Sequence, residues 1–237
     1  MKSLLLIIIF TVYIYAGPPF FTDDPQPVDF MHWEFYLSSA MQYSGNDADV
    51  TLPHIEVNYG LIRDLQIHLI LPLQYTKRAS STRYEYINTE VGVKYRFINN
   101  KSGLQVGIFP IAEIPTGKNE TLAGDNKFKA FLPVWIQETK GNFTTYGGAG
   151  YWFNPGTDNK NWFFAGWMLQ YDFSKTFTLG CELYYQTAET REGIQSSGIN
   201  IGGYININEH NHILLAVGHN LNGGTFTTGY IGYQVTI

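Results

Sequence analysis

The stretch FTTYGGAGYWFNPGTDNKNWFFAGWMLQYDFSKTFTLGCELYYQTA, residues 143–188, holds about three short alternating segments rich in aromatic residues and glycine, separated by polar turns. Successive side chains of a strand point to opposite faces, so Phe177, Leu179, Cys181, Leu183 and Tyr185 share one face. Thr178, Gly180, Glu182, Tyr184 and Gln186 share the other. One face suits lipid and the other water, which is how a membrane-spanning β-barrel is written.

Followed in both directions, the alternation predicts an all-β protein, a transmembrane antiparallel up-and-down β-barrel of about 12 strands (range about 10–14). The strands fall near 31–43, 50–59, 65–76, 84–98, 104–116, 128–139, 142–153, 161–172, 177–188, 196–207, 211–219 and 226–237. Ile87, Val91, Val93, Tyr95 and Phe97 oppose Asn88, Glu90, Lys94 and Arg96, whereas FLPVWI at 131–136 is apolar on both faces and leaves its parity open. Compact turns GLIRD (60–64), NNKSG (99–103), KGN (140–142) and FSK (173–175) alternate with mostly longer links containing TKRASST (76–82), TGKNETLAGDNK (116–127), NPGTDNK (154–160) and TREGIQS (190–196). Outer-membrane barrels keep short turns on the periplasmic side, and an even strand count puts both chain ends there too. Tyr43, Tyr59, Tyr75, Tyr95, Tyr151, Trp152, Trp162, Tyr171 and Tyr185 cluster towards strand ends, which predicts two aromatic belts at the headgroup boundaries. The closing strand TTGYIGYQVTI alternates up to Ile237, an aliphatic residue where such strands usually end in an aromatic one.

Charged residues make up only 15% of the 237, with a net charge of −5 and no long basic cluster, which argues against a nucleic-acid partner. A mean hydropathy of −0.13 is too polar for a helical membrane protein, but a barrel hides its membrane signal in the alternation. MKSLLLIIIFTVYIYA at 1–16 reads as an export signal, with Ala16 and Gly17 small enough for cleavage. The proline-rich, acidic segment 17–30 cannot pair as a central strand and is expected to be a periplasmic arm or a plug; the barrel proper is 31–237. The expected partners are the lipid bilayer, a small-molecule solute and the barrel-insertion machinery, and the expected location is the bacterial outer membrane.

Candidate lumen-lining residues are Glu34, Glu56, His68, Glu90, Lys94, Arg96, Glu113, Glu182 and Gln186, all on strand faces assigned to water. Ionised groups in a narrow barrel must be solvated, paired or neutralised. They therefore read either as a salt-bridged polar core or as a charge-lined channel. His32 and His54 fall singly on the same faces. No cofactor or catalytic motif is present. The single Cys181 excludes a disulfide framework. His210 and His212, with His219 nearby, lack a carboxylate or cysteine at metal-site spacing, and Ser197 with His219 is the nearest approach to a hydrolytic pair. A soluble lipocalin-like barrel of about eight strands would leave the remaining apolar faces uncovered.

GPPFFTDDPQPVDFMHWEFYL at 17–37, VGVKYRF at 91–97, IFPIAEIPTG at 108–117, TTYGGAGYWFNPG at 144–156, GWMLQYDFSKTFTLGCELYYQTA at 166–188 and GINIGGY at 198–204 resemble bacterial outer-membrane barrel proteins assigned a transporter role, which are related to the family named for the meta-pathway of phenol degradation. The resemblance implies an outer-membrane channel or transporter for small solutes, hydrophobic or aromatic ones among them, and carries no catalytic residues. The competing functions are a closed structural or binding barrel and a lipid-modifying enzyme of the outer membrane.

Overall fold

A computed structural model describes residues 19–79, 81–117 and 127–237; the export signal expected at 1–16 lies outside them. The strands are β1 (Trp33–Ser44), β2 (Asp47–Ile62), β3 (Leu65–Arg78), β4 (Ser81–Tyr86), β5 (Thr89–Asn99), β6 (Leu104–Ile108) and β7 (Ile111–Ile114). They continue as β8 (Lys129–Lys140), β9 (Phe143–Phe153), β10 (Trp162–Ser174), β11 (Phe177–Gln186), β12 (Ser196–Asn206), β13 (Asn211–Asn222) and β14 (Thr227–Thr236). Each pairs antiparallel with its neighbours, and β1 pairs with both β2 and β14, so the sheet closes on itself. β4 and β5 both lie along β3, and β6 and β7 both bridge β5 to β8, so the fourteen segments form a closed barrel of 12 strands.

The second break has a covalent cause. Pro110 has no N–H to give the ladder and separates β6 from β7. The preceding Phe109 turns into the barrel, where its ring would lie 2.8 Å from a Cβ on Gly92.

One rim carries only tight connections, between β2 and β3, β5 and β6, β8 and β9, β10 and β11, and β12 and β13. Both ends of the barrel domain lie at this rim, joined by Trp33 N–H donating to Ile237 O at 2.7 Å. At the opposite rim two links are tighter than the sequence suggests. The ladder continues past Tyr43 and through TKRASST, with Ala48 opposite Lys77 and Lys77 opposite Thr82. The polar residues there satisfy one another across strands: Arg78 Nη2 meets Asp49 Oδ2 at 2.7 Å, and Gln74 and Thr76 both donate to Asp49 Oδ1. That pairing holds the hairpins together above the apolar band. The longer links of this rim are 115–128, 154–161 and 187–195.

Outward positions form a belt of exposed apolar side chains, among them Leu37, Leu71, Val134, Trp167, Leu183 and Val217. An apolar surface this continuous is a liability in water and is matched by lipid. Aromatic side chains edge it. Trp33, Tyr95, Phe143 and Phe173 stand exposed at the short-turn rim, and Tyr43, Tyr75, Tyr151 and Tyr185 at the other. Trp152 and Trp162 depart from the expected belts: their parity on β9 and β10 turns them into the lumen, so position near a strand end is outranked by face. Cys181 lies half-buried on the outward face of β11. Leu183→Arg, near the middle of β11, is expected to lower barrel stability by about 2–4 kcal/mol, the cost of a basic side chain at mid-bilayer depth. Denaturant titration in lipid vesicles reads this directly.

The inward faces hold two hydrophobic clusters, an aromatic one of Phe109, Phe131, Trp135, Phe164 and Tyr184, and a mixed one of Tyr36, Tyr204 and Leu214. β9 makes room for the first by presenting Gly148 and Gly150 inward. A Cβ at these positions would come within 2.7 Å of Trp135 and 2.4 Å of Phe131 respectively.

Candidate functional site

Residues 19–30 run inside the barrel from the short-turn rim towards its middle. Four prolines in 17–30 deny the segment a full ladder, and its one bridge to a strand is parallel, between Phe30 and Gly60. Side chains of the wall hold it instead. Val28 N–H donates to Gln66 Oε1 at 2.8 Å, and Gln105 Nε2 donates to Gln26 Oε1 at 3.3 Å. Higher up, Lys94 Nζ lies 2.8 Å from Asp23 Oδ1 and 4.0 Å from Asp24 Oδ2. Glu182 takes the backbone of the arm's inner end, accepting from Thr22 N–H at 2.5 Å and Phe21 N–H at 3.3 Å. Asn200 Nδ2 donates to the same carboxylate at 2.5 Å. Thr22 and Asp24 are wholly buried. Gly166 on β10 leaves the space for this seat, since a Cβ there would lie 1.9 Å from Thr22 Oγ1.

Two chambers flank the arm's inner end. The inner chamber, about 260 Å³, has a largely apolar lining that carries an acidic cluster, with Glu34, Glu56, Glu90 and Asp23 on its walls beside Lys94, His54 and His68. The outer chamber, about 420 Å³, is aromatic, walled by Phe131, Trp135, Trp152, Trp162, Phe164 and Tyr184. Three of these rings form a stack across neighbouring strands, Phe131 on Trp152 at 4.8 Å and Trp152 on Trp162 at 5.4 Å. Phe21, Asp23, Phe109 and Ile111 line both chambers, so the arm and the Pro110 break form their common wall.

The residues singled out from sequence fall into four groups. Glu34, Glu56, His68, Glu90 and Lys94 meet at the inner chamber. There His68 bridges two carboxylates, with Nε2 2.9 Å from Glu90 Oε1 and Nδ1 3.6 Å from Glu56 Oε1, and its Nδ1 lies 2.7 Å from Asn58 Oδ1. Glu182 is spent on the arm. Gln186 lines the outer chamber and donates to Glu189 at 2.8 Å. Arg96 and Glu113 line neither chamber: Arg96 binds Asp64 at 2.6 Å near the short-turn rim, and Glu113 faces Lys129 at 3.6 Å towards the other. His54 lines the inner chamber beside Ser38 at 3.0 Å, whereas His32 is exposed outside it with Nδ1 3.1 Å from Phe30 O.

Asp23, Asp24 and Thr22, together with the inward aromatic wall, are functional candidates that the pattern of strand faces did not single out. His210 lies in the turn before β13 with Nδ1 3.1 Å from Thr236 O, while His212 Nδ1 lies 2.8 Å from Asn206 Oδ1. Among the described residues no cluster of three or more His, Cys, Asp or Glu has a metal-holding arrangement. Ser197 and His219 both lie on the outward parity of β12 and β13, and His219 Nδ1 lies 3.2 Å from Thr227 Oγ1.

No protein-family model matches this chain, and no curated protein sequence is significantly similar to it. Solved structures are similar in fold. An outer membrane channel from Pseudomonas putida F1 superposes with a TM-score of 0.70 at 12% identity, over 90% of this chain and 97% of that one. The KdgM porin gives 0.61 at 12% identity over 85% and 98%, and the NanC porin 0.57 at 8% identity over 85% and 98%. The fold is therefore that of the channels and porins of the bacterial outer membrane, and the apolar belt fits the chain to that bilayer.

Proposed function

We propose that this chain is an outer-membrane channel for small hydrophobic or aromatic solutes, related to the meta-pathway family of phenol degradation, with residues 17–30 as its plug. The observation that carries this reading is the aromatic chamber lying next to one that carries an acidic cluster. Ligand sites are concave and mostly apolar with a few placed polar groups, and a wall of stacked rings suits a planar apolar solute. The arm between the chambers makes passage conditional on its position. The same segment favours a second reading, a closed binding barrel. Gln137, Tyr146, Met168, Gln170, Leu214 and Gln234 are almost completely buried and fill the sector of the lumen towards the short-turn rim.

Proteoliposome uptake tests the channel. Measured as the rate above that of protein-free liposomes, benzyl alcohol is expected to enter faster than a sugar of similar mass. Trp152→Ala, which removes the middle ring of the stack, is expected to weaken solute retention by about two- to tenfold, the worth of one aromatic pair of about 0.5–1.5 kcal/mol. Equal permeation of both solutes, unaltered by Trp152→Ala, would remove the aromatic preference, and no flux of either would favour the closed barrel.

A further inference from the structure

We infer that the inner chamber binds an organic ammonium group, which makes the preferred solute of this channel a small arylalkyl amine. The inference rests on the channel reading only in equating the bound solute with the transported one. Its ground is an imbalance of charge. Asp23, Asp24, Glu34, Glu56 and Glu90 gather at or beside the chamber, against Lys94 and, when protonated, His68. Five carboxylates therefore face at most three cations, the third being His54 when protonated, which is turned to Ser38. The lysine is committed to the two aspartates of the arm, and His68 to Glu56 and Glu90.

Glu34 is the carboxylate left over. Its residue is 4% exposed, its Oε2 accepts from Tyr36 OH at 2.9 Å, and its buried Oε1 accepts no hydrogen bond from any described residue. A buried acceptor without a donor is costly, and a carboxylate more so. An ammonium N–H is the donor that would satisfy it and neutralise it together. Tyr36, Tyr230 and Phe109 add ring faces to the chamber wall, the surfaces that attract a desolvated cation. Lys94 Nζ already uses one of them, 4.9 Å from the Phe109 centroid. The ammonium group then faces Glu34, with the ligand's ring against the aromatic side chains of the same chamber.

Isothermal titration of the full chain in detergent, with benzylamine, benzyl alcohol and benzoate near neutral pH, tests this. Benzylamine is expected to bind at least about tenfold tighter than benzyl alcohol, with benzoate weakest. Glu34→Gln keeps the shape and an acceptor for Tyr36; it is expected to erase the amine's advantage over benzyl alcohol. Benzylamine binding no tighter than benzyl alcohol, or an amine preference that survives Glu34→Gln, overturns the inference. The ligand series on the unaltered protein decides the matter even where the variant does not assemble. Benzyl alcohol flux without an amine preference keeps the channel and refutes the amine; amine binding without flux keeps the chamber and refutes the channel.

Discussion

Deletion of residues 17–30 is expected to raise single-channel conductance in planar bilayers several-fold while the barrel still assembles. The arm contributes little to the ladder, with a single parallel bridge at Phe30, so its loss leaves every strand pairing of the closed sheet in place. What it occupies is the cross-section between the two chambers, where Phe21 and Asp23 stand in both walls. Removing them joins the chambers. A gentler version acts through one residue. Gly166→Leu would drive a side chain into the space of Thr22, whose Oγ1 lies 1.9 Å from the position of a Cβ there. Among the described residues the arm runs into a strand only at its Trp33 end, and displacement is the cheapest response to that overlap. Gly166→Leu is therefore expected to approach the conductance of the deletion. Heat-modifiable migration on a gel verifies that both variants retain the barrel. Conductance equal to that of the full chain in the folded deletion variant would end the role of 17–30 as a plug.

The strand faces were legible because a period of two is enforced by backbone geometry and by a sharp change of solvent. From Phe177 to Gln186 the apolar side chains face outward and Thr178, Glu182 and Tyr184 are buried inside, as the alternation requires. Where both faces are apolar that logic loses its contrast. In FLPVWI the inward residues are Phe131, Pro133 and Trp135, and the outward ones Leu132, Val134 and Ile136. Polarity cannot separate an aromatic lumen wall from an aliphatic lipid face, so the outer chamber was invisible as a chamber. Trp152 and Trp162 were drawn to the belts for the same reason: proximity to a strand end says nothing of face. The arm's anchors were hidden by distance along the chain. Lys94 and Asp23 are 71 residues apart, and no local spacing announces their pairing. The visible signal was compositional, an acidic proline-rich segment beside a barrel whose inward faces are nearly devoid of lysine.

Lys94→Met is expected to release the arm without unfolding the barrel. The Lys94 side chain is 5% exposed, and its ammonium holds Asp23 at 2.8 Å and Asp24 at 4.0 Å. Removing one member of a buried pair costs about 3–5 kcal/mol, chiefly because the remaining charge is left without compensation. Here two carboxylates are left, and they lie on a segment free to leave. Expelling residues 19–30 returns both aspartates to water. It also forfeits the seat at Glu182, whose hydrogen bonds, as those of a charged acceptor, contribute about 1.5–3 kcal/mol each. The comparison is close enough that the arm is expected to exchange between seated and released states. Partial conductance and intermediate rates of proteolytic removal of 19–30 would report it. Asp23→Asn and Asp24→Asn together with Lys94→Met remove the stranded charges and are expected to restore protection and low conductance. An arm as protected in Lys94→Met as in the unaltered chain would mean that Glu182 and the Gln66 and Gln105 contacts suffice to seat it. The ion pairs would then contribute no net hold, the break-even outcome open to any buried salt bridge.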